Sequence, residues 1–137
     1  MRLKVLKNIL IVEDEILVAR NIERKLKNTS VDQVKIVLKG QKAIDEINSN
    51  MPDLVLLDIS LQDDIDGLEV GRQLRLKTAD VPIIFMSAHN DLKTVERIKD
   101  LEKVDLVVKP FSCQDLFEKI GLFYSDFKIL ESTKSFQ

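Results

Sequence analysis

The sequence predicts a doubly wound α/β domain: a five-stranded parallel sheet in the order 2-1-3-4-5 with five helices, (βα)5. Three observations predict it. First, five short runs rich in Val, Ile or Leu recur along the 137 residues, at 8–12, 33–38, 53–58, 81–87 and 105–109. Continuous apolar runs of that length read as strands buried on both faces. Second, the stretches between them are long enough for helices, and strict alternation argues for a parallel sheet covered on both sides. Third, right-handed crossovers leave few topologies, of which 2-1-3-4-5 is the common five-stranded one. A fragment of a larger sheet or barrel is the alternative.

Each strand run, "NILIV", "QVKIVL", "DLVLLD", "VPIIFMS" and "DLVVK", is followed by a segment of helical period. Residues 15–27 place Ala19, Ile22 and Leu26 at spacings of three and four. Residues 41–49 put Ala43, Ile44 and Ile47 on one face, and 68–77 do the same with Val70, Gly71 and Leu74. Residues 91–101 carry Leu92, Val95, Ile98 and Leu101, all at spacing three. That stripe drifts around a 3.6-residue helix, so this helix is expected to pack least firmly. Residues 112–130 hold Leu116, Ile120, Phe123, Phe127 and Leu130, a full helical face. Domain organisation follows: one domain over 1–130, then 131–137 as a tail or the start of a linker.

Composition narrows the function classes. A net charge of −2, with both signs interspersed over 32% charged residues, advertises neither nucleic acid nor an anionic membrane. One cysteine, Cys113, excludes an internal disulfide framework and zinc sites built on paired cysteines. No apolar run approaches the ~20 residues of a membrane span. The acidic stretch after Lys7 does not suit a signal peptide. The expectation is a cytoplasmic protein.

Polar residues gather where the apolar runs stop. Glu13, Asp14 and Glu15 follow the first run, Asp58 ends the third, Ser87 the fourth and Lys109 the fifth. In an open parallel sheet those ends share one edge, and ligands bind where the strand order reverses. Here the reversal lies between the first and third strands, which puts Glu13 and Asp14 beside Asp58. Grouped carboxylates repel, by about 4 kcal/mol per pair at ~4 Å and an effective dielectric near 20. A divalent cation or a lysine relieves this, and oxygen ligands with room for water suit Mg²⁺. A nucleophilic acid, acids for a metal, a lysine and a hydroxyl form a phosphoryl-transfer set. Each residue alone also has a plainer role, as helix cap, turn former or solvated side chain. Their joint placement on one edge favours chemistry.

The chain resembles a response-regulator receiver domain of the CheY-like family over roughly residues 7–130. The motifs that carry the resemblance are "ILIVEDE" at 9–15, "DLVLLDIS" at 53–60, "DGLE" at 66–69, "PIIFMSAH" at 82–89 and "VVKPF" at 107–111. The resemblance implies two-component or phosphorelay signalling. Asp58 would accept a phosphoryl group from a histidine kinase or histidine phosphotransfer protein, using Mg²⁺ or Mn²⁺. Glu13 and Asp14 would be the acidic pair, with Asp14 the more direct ligand, alongside Asp58 and the backbone carbonyl of Ser60. Ser87 and Lys109 would contact phosphoryl oxygens, and the Lys109–Pro110 bond would be cis. Such a module promotes its own phosphorylation and dephosphorylation and is not a turnover enzyme. It would act on an output domain or protein that the sequence does not identify, without direct contact to nucleic acid or membrane. A homodimer through the face of helices 91–101 and 112–130 is a further expectation.

Three features depart from the common pattern. Leu106 stands where many receivers carry an aromatic switch residue. The loop "ISLQDDIDG" lacks a proline, is one residue longer, and adds Asp63 and Asp64, read as a solvated acidic loop. The resemblance puts Ser60 and His89, two after Asp58 and two after Ser87, at the positions that often tune dephosphorylation in this family. Of the loop acids, Asp66 before Gly67 reads as a turn or helix cap. The rivals are a binding module of the same fold without phosphotransfer, and a flavodoxin-like phosphatase or nucleotide-binding enzyme. The filled chemical positions argue against the first. The absence of a Gly-rich phosphate loop after the first strand argues against the second.

Overall fold

The apolar runs form β1 (Asn8–Val12), β2 (Gln33–Val37), β3 (Leu54–Asp58), β4 (Ile83–Ser87) and β5 (Val104–Val108). Between and after them lie α1 (Ile16–Leu26), α2 (Gly40–Ser49), α3 (Gly67–Lys77), α4 (Leu92–Ile98) and α5 (Cys113–Phe123). These come from a computed structural model that describes residues 4–89 and 92–130. The tail over 131–137 and the predicted start of the fourth helix at 91 lie outside the described residues. All strand pairs are parallel and the order is β2-β1-β3-β4-β5, as the sequence predicts.

The sheet divides the core into two layers. Leu10, Val12, Val55, Leu57, Ile83 and Phe85 point to one face and pack against Ala43, Ile47, Val70, Leu74 and Ile98. Ile9, Ile11, Leu54, Leu56, Ile84 and Met86 point to the other and pack against Ala19, Ile22, Leu26, Leu116 and Ile120. Alternation of side chains along each strand produces this split. Each fully buried aliphatic side chain is worth about 1.5–3 kcal/mol, so the inner strands form the least deformable part of the molecule. Burial on both faces holds for β1, β3 and β4 but not for the two edge strands, β2 and β5, the latter with only Val107 buried. As an edge strand, β2 turns Gln33 and Lys35 to solvent.

The helices start and stop for identifiable reasons. Asp66 caps α3, its Oδ1 accepting the Glu69 N–H at 2.9 Å. Ser112 and Asp115 form a reciprocal capping box on α5, with Cys113 as the first helical residue. Two helices are shorter than their apolar stripes. α4 ends at Ile98, with Leu92 and Val95 exposed and only Thr94 and Ile98 buried, in keeping with the drifting stripe. α5 ends at Phe123, not 130. Tyr124 takes an extended conformation, and the chain turns at Ser125 and Asp126 to run back along residues 28–30. There Ser30 N–H donates to the Lys128 carbonyl at 2.8 Å and Leu130 N–H to the Asn28 carbonyl at 2.7 Å. Phe127 leaves the helix yet still packs, edge-on to Phe117 with ring centroids 5.3 Å apart. The Tyr124 hydroxyl, on a buried ring, donates to the Asp53 carbonyl at 2.6 Å. Among the described residues no helix is long and apolar enough to cross a membrane.

Candidate functional site

Register places the polar residues. Val12 pairs with Leu57, so Glu13 and Asp58 leave adjacent strands side by side. Asp58 pairs with Met86 and Ser87 with Val108, which brings Ser87 and Lys109 to the same carboxyl edge. The Lys109–Pro110 peptide is cis.

The centre of the site is a carboxylate group around one ammonium. Glu13, Asp14 and Asp58 each offer an oxygen, all within 4.8 Å of one another. Lys109 Nζ donates to Glu13 Oε1 at 2.6 Å and to Asp58 Oδ2 at 3.2 Å. Glu13 is wholly buried, and this burial pushes its carboxyl up to about 7, against the pull of Lys109 and of the Glu15 N–H, with Asp58's charge adding to the rise. For Lys109, burial works downward. The bond to Glu13 and the charges of Asp58 and Glu13 outweigh it and hold the ammonium above its ordinary value. The lysine therefore stays charged, and one ammonium against three carboxylates leaves an excess of negative charge that grows once Glu13 is ionised.

Backbone amides complete the first ring of contacts. Asp58 Oδ1 accepts the Ser60 N–H at 2.9 Å, Asp14 Oδ2 accepts the Gln62 N–H at 2.8 Å, and Glu13 Oε2 accepts the Glu15 N–H at 3.1 Å. Glu15, though at the cap position of α1, makes no side-chain capping bond. Ser87 is buried. Its Oγ accepts the His89 N–H at 3.0 Å, and its carbonyl accepts the Lys109 N–H at 2.6 Å. Above these groups opens a cleft of about 490 Å³ lined by Asp14, Glu15, Asp58, Ser60, Gln62, Ala88, His89 and Lys109. Glu13 and Ser87 are buried and do not line it. The donor set is all oxygen, open on one side and partly neutralised by one lysine. That composition fits a hard divalent cation that keeps water ligands.

The structure gathers Glu13, Asp14, Asp58, Ser60, Ser87 and Lys109 at one edge, as the sequence predicts. It corrects the reading of the acidic loop. Asp63 is half-buried, and its Oδ2 accepts the N–H of Gly40, the first residue of α2, at 2.9 Å. Asp64 remains exposed. Gln62 enters the site through its backbone N–H, which leaves no signal in side-chain identity. The signal for Asp63 lies elsewhere. Lys39, at the cap position of α2, has no side-chain acceptor, so the helix must find one outside itself.

An acidic cleft at the carboxyl edge of a doubly wound sheet, with a buried strand-end aspartate and an inward lysine, defines the class. The match to known proteins is specific. The chain belongs to the response regulator receiver domain family, whose model matches residues 9–121. Response regulator ArlR of Staphylococcus haemolyticus is 41% identical over 117 residues, 82% of this chain and 50% of the relative. The chain thus spans about half the length of the curated relatives it matches. The Francisella response regulator 1452 receiver domain shares 25% identity with a TM-score of 0.77, covering 87% of this chain and 97% of that one. The chemotaxis protein CheY4 of Vibrio cholerae shares the fold at 17% identity, with a TM-score of 0.78 over 87% of this chain and 99% of that one. The chain is therefore a receiver domain of the two-component response-regulator type.

Proposed function

We propose that this receiver takes a phosphoryl group onto Asp58 from the phosphohistidine of a histidine kinase or histidine phosphotransfer protein. The observation that carries the reading is the setting of Asp58: a buried strand-end carboxylate within 4.8 Å of the Glu13 and Asp14 oxygens and 3.2 Å from the Lys109 ammonium. An Asp58 oxygen attacks phosphorus, the P–N bond breaks, and its electron pair returns to the imidazole, leaving an acyl phosphate on the aspartate. Asp14, Glu13, Asp58 and the Ser60 carbonyl would hold Mg²⁺ or Mn²⁺. When bound, such a cation would neutralise charge on the phosphoryl oxygens. Lys109 moves its charge from Glu13 toward the new phosphoryl oxygens. Ser87 turns its hydroxyl from the His89 amide to the same group.

Phosphorylation adds about −1.5 to −2 charge and three acceptor oxygens. If these bind one arrangement of the surrounding loops better than another, the population shifts and a partner-binding face changes. The module signals rather than turning over substrate, in the cytoplasm, toward an output domain or protein. A homodimer through α4 and α5 belongs to the same proposal. Its support is the exposure of Leu92 and Val95 on α4 and Leu122 on α5.

The test is incubation with acetyl phosphate and Mg²⁺ followed by intact-mass and peptide mass spectrometry. One phosphoryl group at Asp58, absent in Asp58→Asn and absent with EDTA, is the expected result. No mass gain, or steady release of phosphate from phosphomonoesters with no label on the chain, overturns the reading.

A further inference from the structure

We propose that Asp63 is a positioning residue that couples the acidic cleft to the N-terminus of α2, so that occupancy of the cleft is read on the α2 side of the sheet. This rests on the cation and phosphoryl reading above and deepens it.

The loop after β3 is bonded along its length, first to the cleft and then to α2. Ser60 N–H sits on Asp58 Oδ1 at 2.9 Å and Gln62 N–H on Asp14 Oδ2 at 2.8 Å. The next residue, Asp63, holds Gly40 N–H with Oδ2 at 2.9 Å and Asp64 N–H with Oδ1 at 2.8 Å, which fixes its rotamer. Two residues on, the Ile65 carbonyl oxygen occupies the place where a Cβ on Gly40 would stand, with the Ile65 carbonyl carbon 3.0 Å from that point. The loop and α2 therefore meet through a carboxylate–amide bond and a backbone contact that only glycine admits.

Energetic need points the same way. The first turn of any helix carries N–H groups without intrahelical partners, and a carboxylate there is favoured by the helix dipole. α2 lacks a cap of its own at Lys39, so Asp63 supplies one from another part of the chain. The two oxygens that face Ser60 and Gln62 belong to Asp58 and Asp14, the residues assigned to the cation and phosphoryl group. Any change in how those oxygens are shared changes the positions of the two amides. A planar peptide joins Gln62 to Asp63, so displacement at Gln62 is handed to the residue holding α2.

The test follows backbone amides by NMR in the full chain, titrated with Mg²⁺ alone and then with acetyl phosphate, in wild type, Asp63→Ala and Asp63→Asn. In wild type the Ser60, Gln62 and Gly40 amides are expected to shift with one common midpoint. In Asp63→Ala, Ser60 and Gln62 still shift, Gly40 does not, and Ala43 N–H, the donor of an early α2 bond to Lys39, exchanges several-fold faster. Asp63→Asn keeps an acceptor oxygen and retains the Gly40 response. A Gly40 that shifts equally in Asp63→Ala overturns the coupling and leaves the cation reading standing. So does a Gly40 that stays still in wild type while Ser60 and Gln62 move. If none of the three moves with Mg²⁺ in wild type, the cation reading falls and the coupling with it.

Discussion

Replacing Asp14 by Asn should stabilise the protein without metal and destabilise it, relative to wild type, with metal. The carboxylate oxygens of Glu13, Asp14 and Asp58 lie within 4.8 Å of one another. At that separation two unit charges repel by about 3.5 kcal/mol at an effective dielectric near 20, and by about 0.9 in bulk water. Lys109 offsets this for Glu13 and Asp58, which it touches at 2.6 and 3.2 Å. Among the described residues Asp14 has no ion-pair partner, so its charge is the uncompensated one. Asp14 is only half-buried, and solvent screening takes the estimate toward the lower end, about 1–2 kcal/mol. Asn retains an oxygen for the Gln62 N–H, so the loop contact survives and the change isolates charge.

The assay is thermal unfolding at pH 8 in EDTA and again in saturating Mg²⁺. In EDTA the variant should melt roughly 4–8 °C higher. In Mg²⁺ at a hundred times Kd the wild type gains about 2.7 kcal/mol by linkage, and the variant gains much less, so the order inverts. The pH dependence has a definite sign. Glu13, raised from 4.5 to about 7, keeps its proton in the folded state while the unfolded chain releases it. Its contribution to stability is complete below pH 4.5 and is lost as pH rises through about 7. At pH 6 Glu13 is mostly neutral, one repulsive partner of Asp14 is gone, and the advantage of the variant in EDTA shrinks. A variant less stable than wild type in EDTA, or equally stabilised by Mg²⁺, refutes the reasoning.

Four further outcomes follow from the surroundings of single residues. Tyr124, pushed up to about 12 chiefly by burial, should make wild type lose roughly 2–3 kcal/mol between pH 10 and 12, because the unfolded chain ionises first. Urea melts of Tyr124→Phe across that range should lack this part of the slope, and an unchanged slope would contradict the assignment. Gly67→Ala should destabilise, since its methyl would overlap the Asp58 carbonyl oxygen and lie 2.8 Å from the carbonyl carbon. Gly121→Ala, with nothing within 4 Å, should stabilise α5 by about 0.5–1 kcal/mol in denaturant titrations. Ser87→Ala should accept a phosphoryl group at Asp58 yet show a reduced change in hydrogen exchange over α4; an undiminished change would remove Ser87 from the switch.

How much of this was legible in the sequence depended on how local each interaction is. The inner strands and the site edge were readable because a parallel sheet buried on both faces leaves unbroken apolar runs whose ends share an edge. β2 misled only in its burial: "QVKIVL" reads as covered on both faces, yet the predicted order already puts it at the sheet margin, where Gln33 and Lys35 face solvent. α5 was read too long because Phe123, Phe127 and Leu130 keep helical spacing after the helix has ended. Ser125 and Asp126, both turn formers, marked the true break. The pairing of 128–130 with 28–30 is long-range and has no periodic signature. Asp63 was the largest gap. Nothing near it in sequence announces Gly40, and only the missing cap at Lys39 hinted that an acceptor had to come from afar.

The same contacts limit how a charge placed on Asp58 can leave the site. β1, β3 and β4 are buried along nearly their whole length, so the strand bearing Asp58 has no room to move. Gly67 abuts the Asp58 carbonyl and anchors the end of the following loop as well. What remains to respond is the set of hydrogen bonds made by that loop from Ser60 to Asp64, and Ala88 and His89 after Ser87. The second leads to α4, seven residues long with two of them buried, which costs little to displace. The first leads through Asp63 to α2, ten residues long with Gly40, Ala43 and Ile47 buried, which costs more. Under the phosphoacceptor reading the α4 segment should therefore make the larger excursion. The α2 end should make the smaller one, strictly conditional on a single carboxylate, and removing Asp63 should silence it without touching the other.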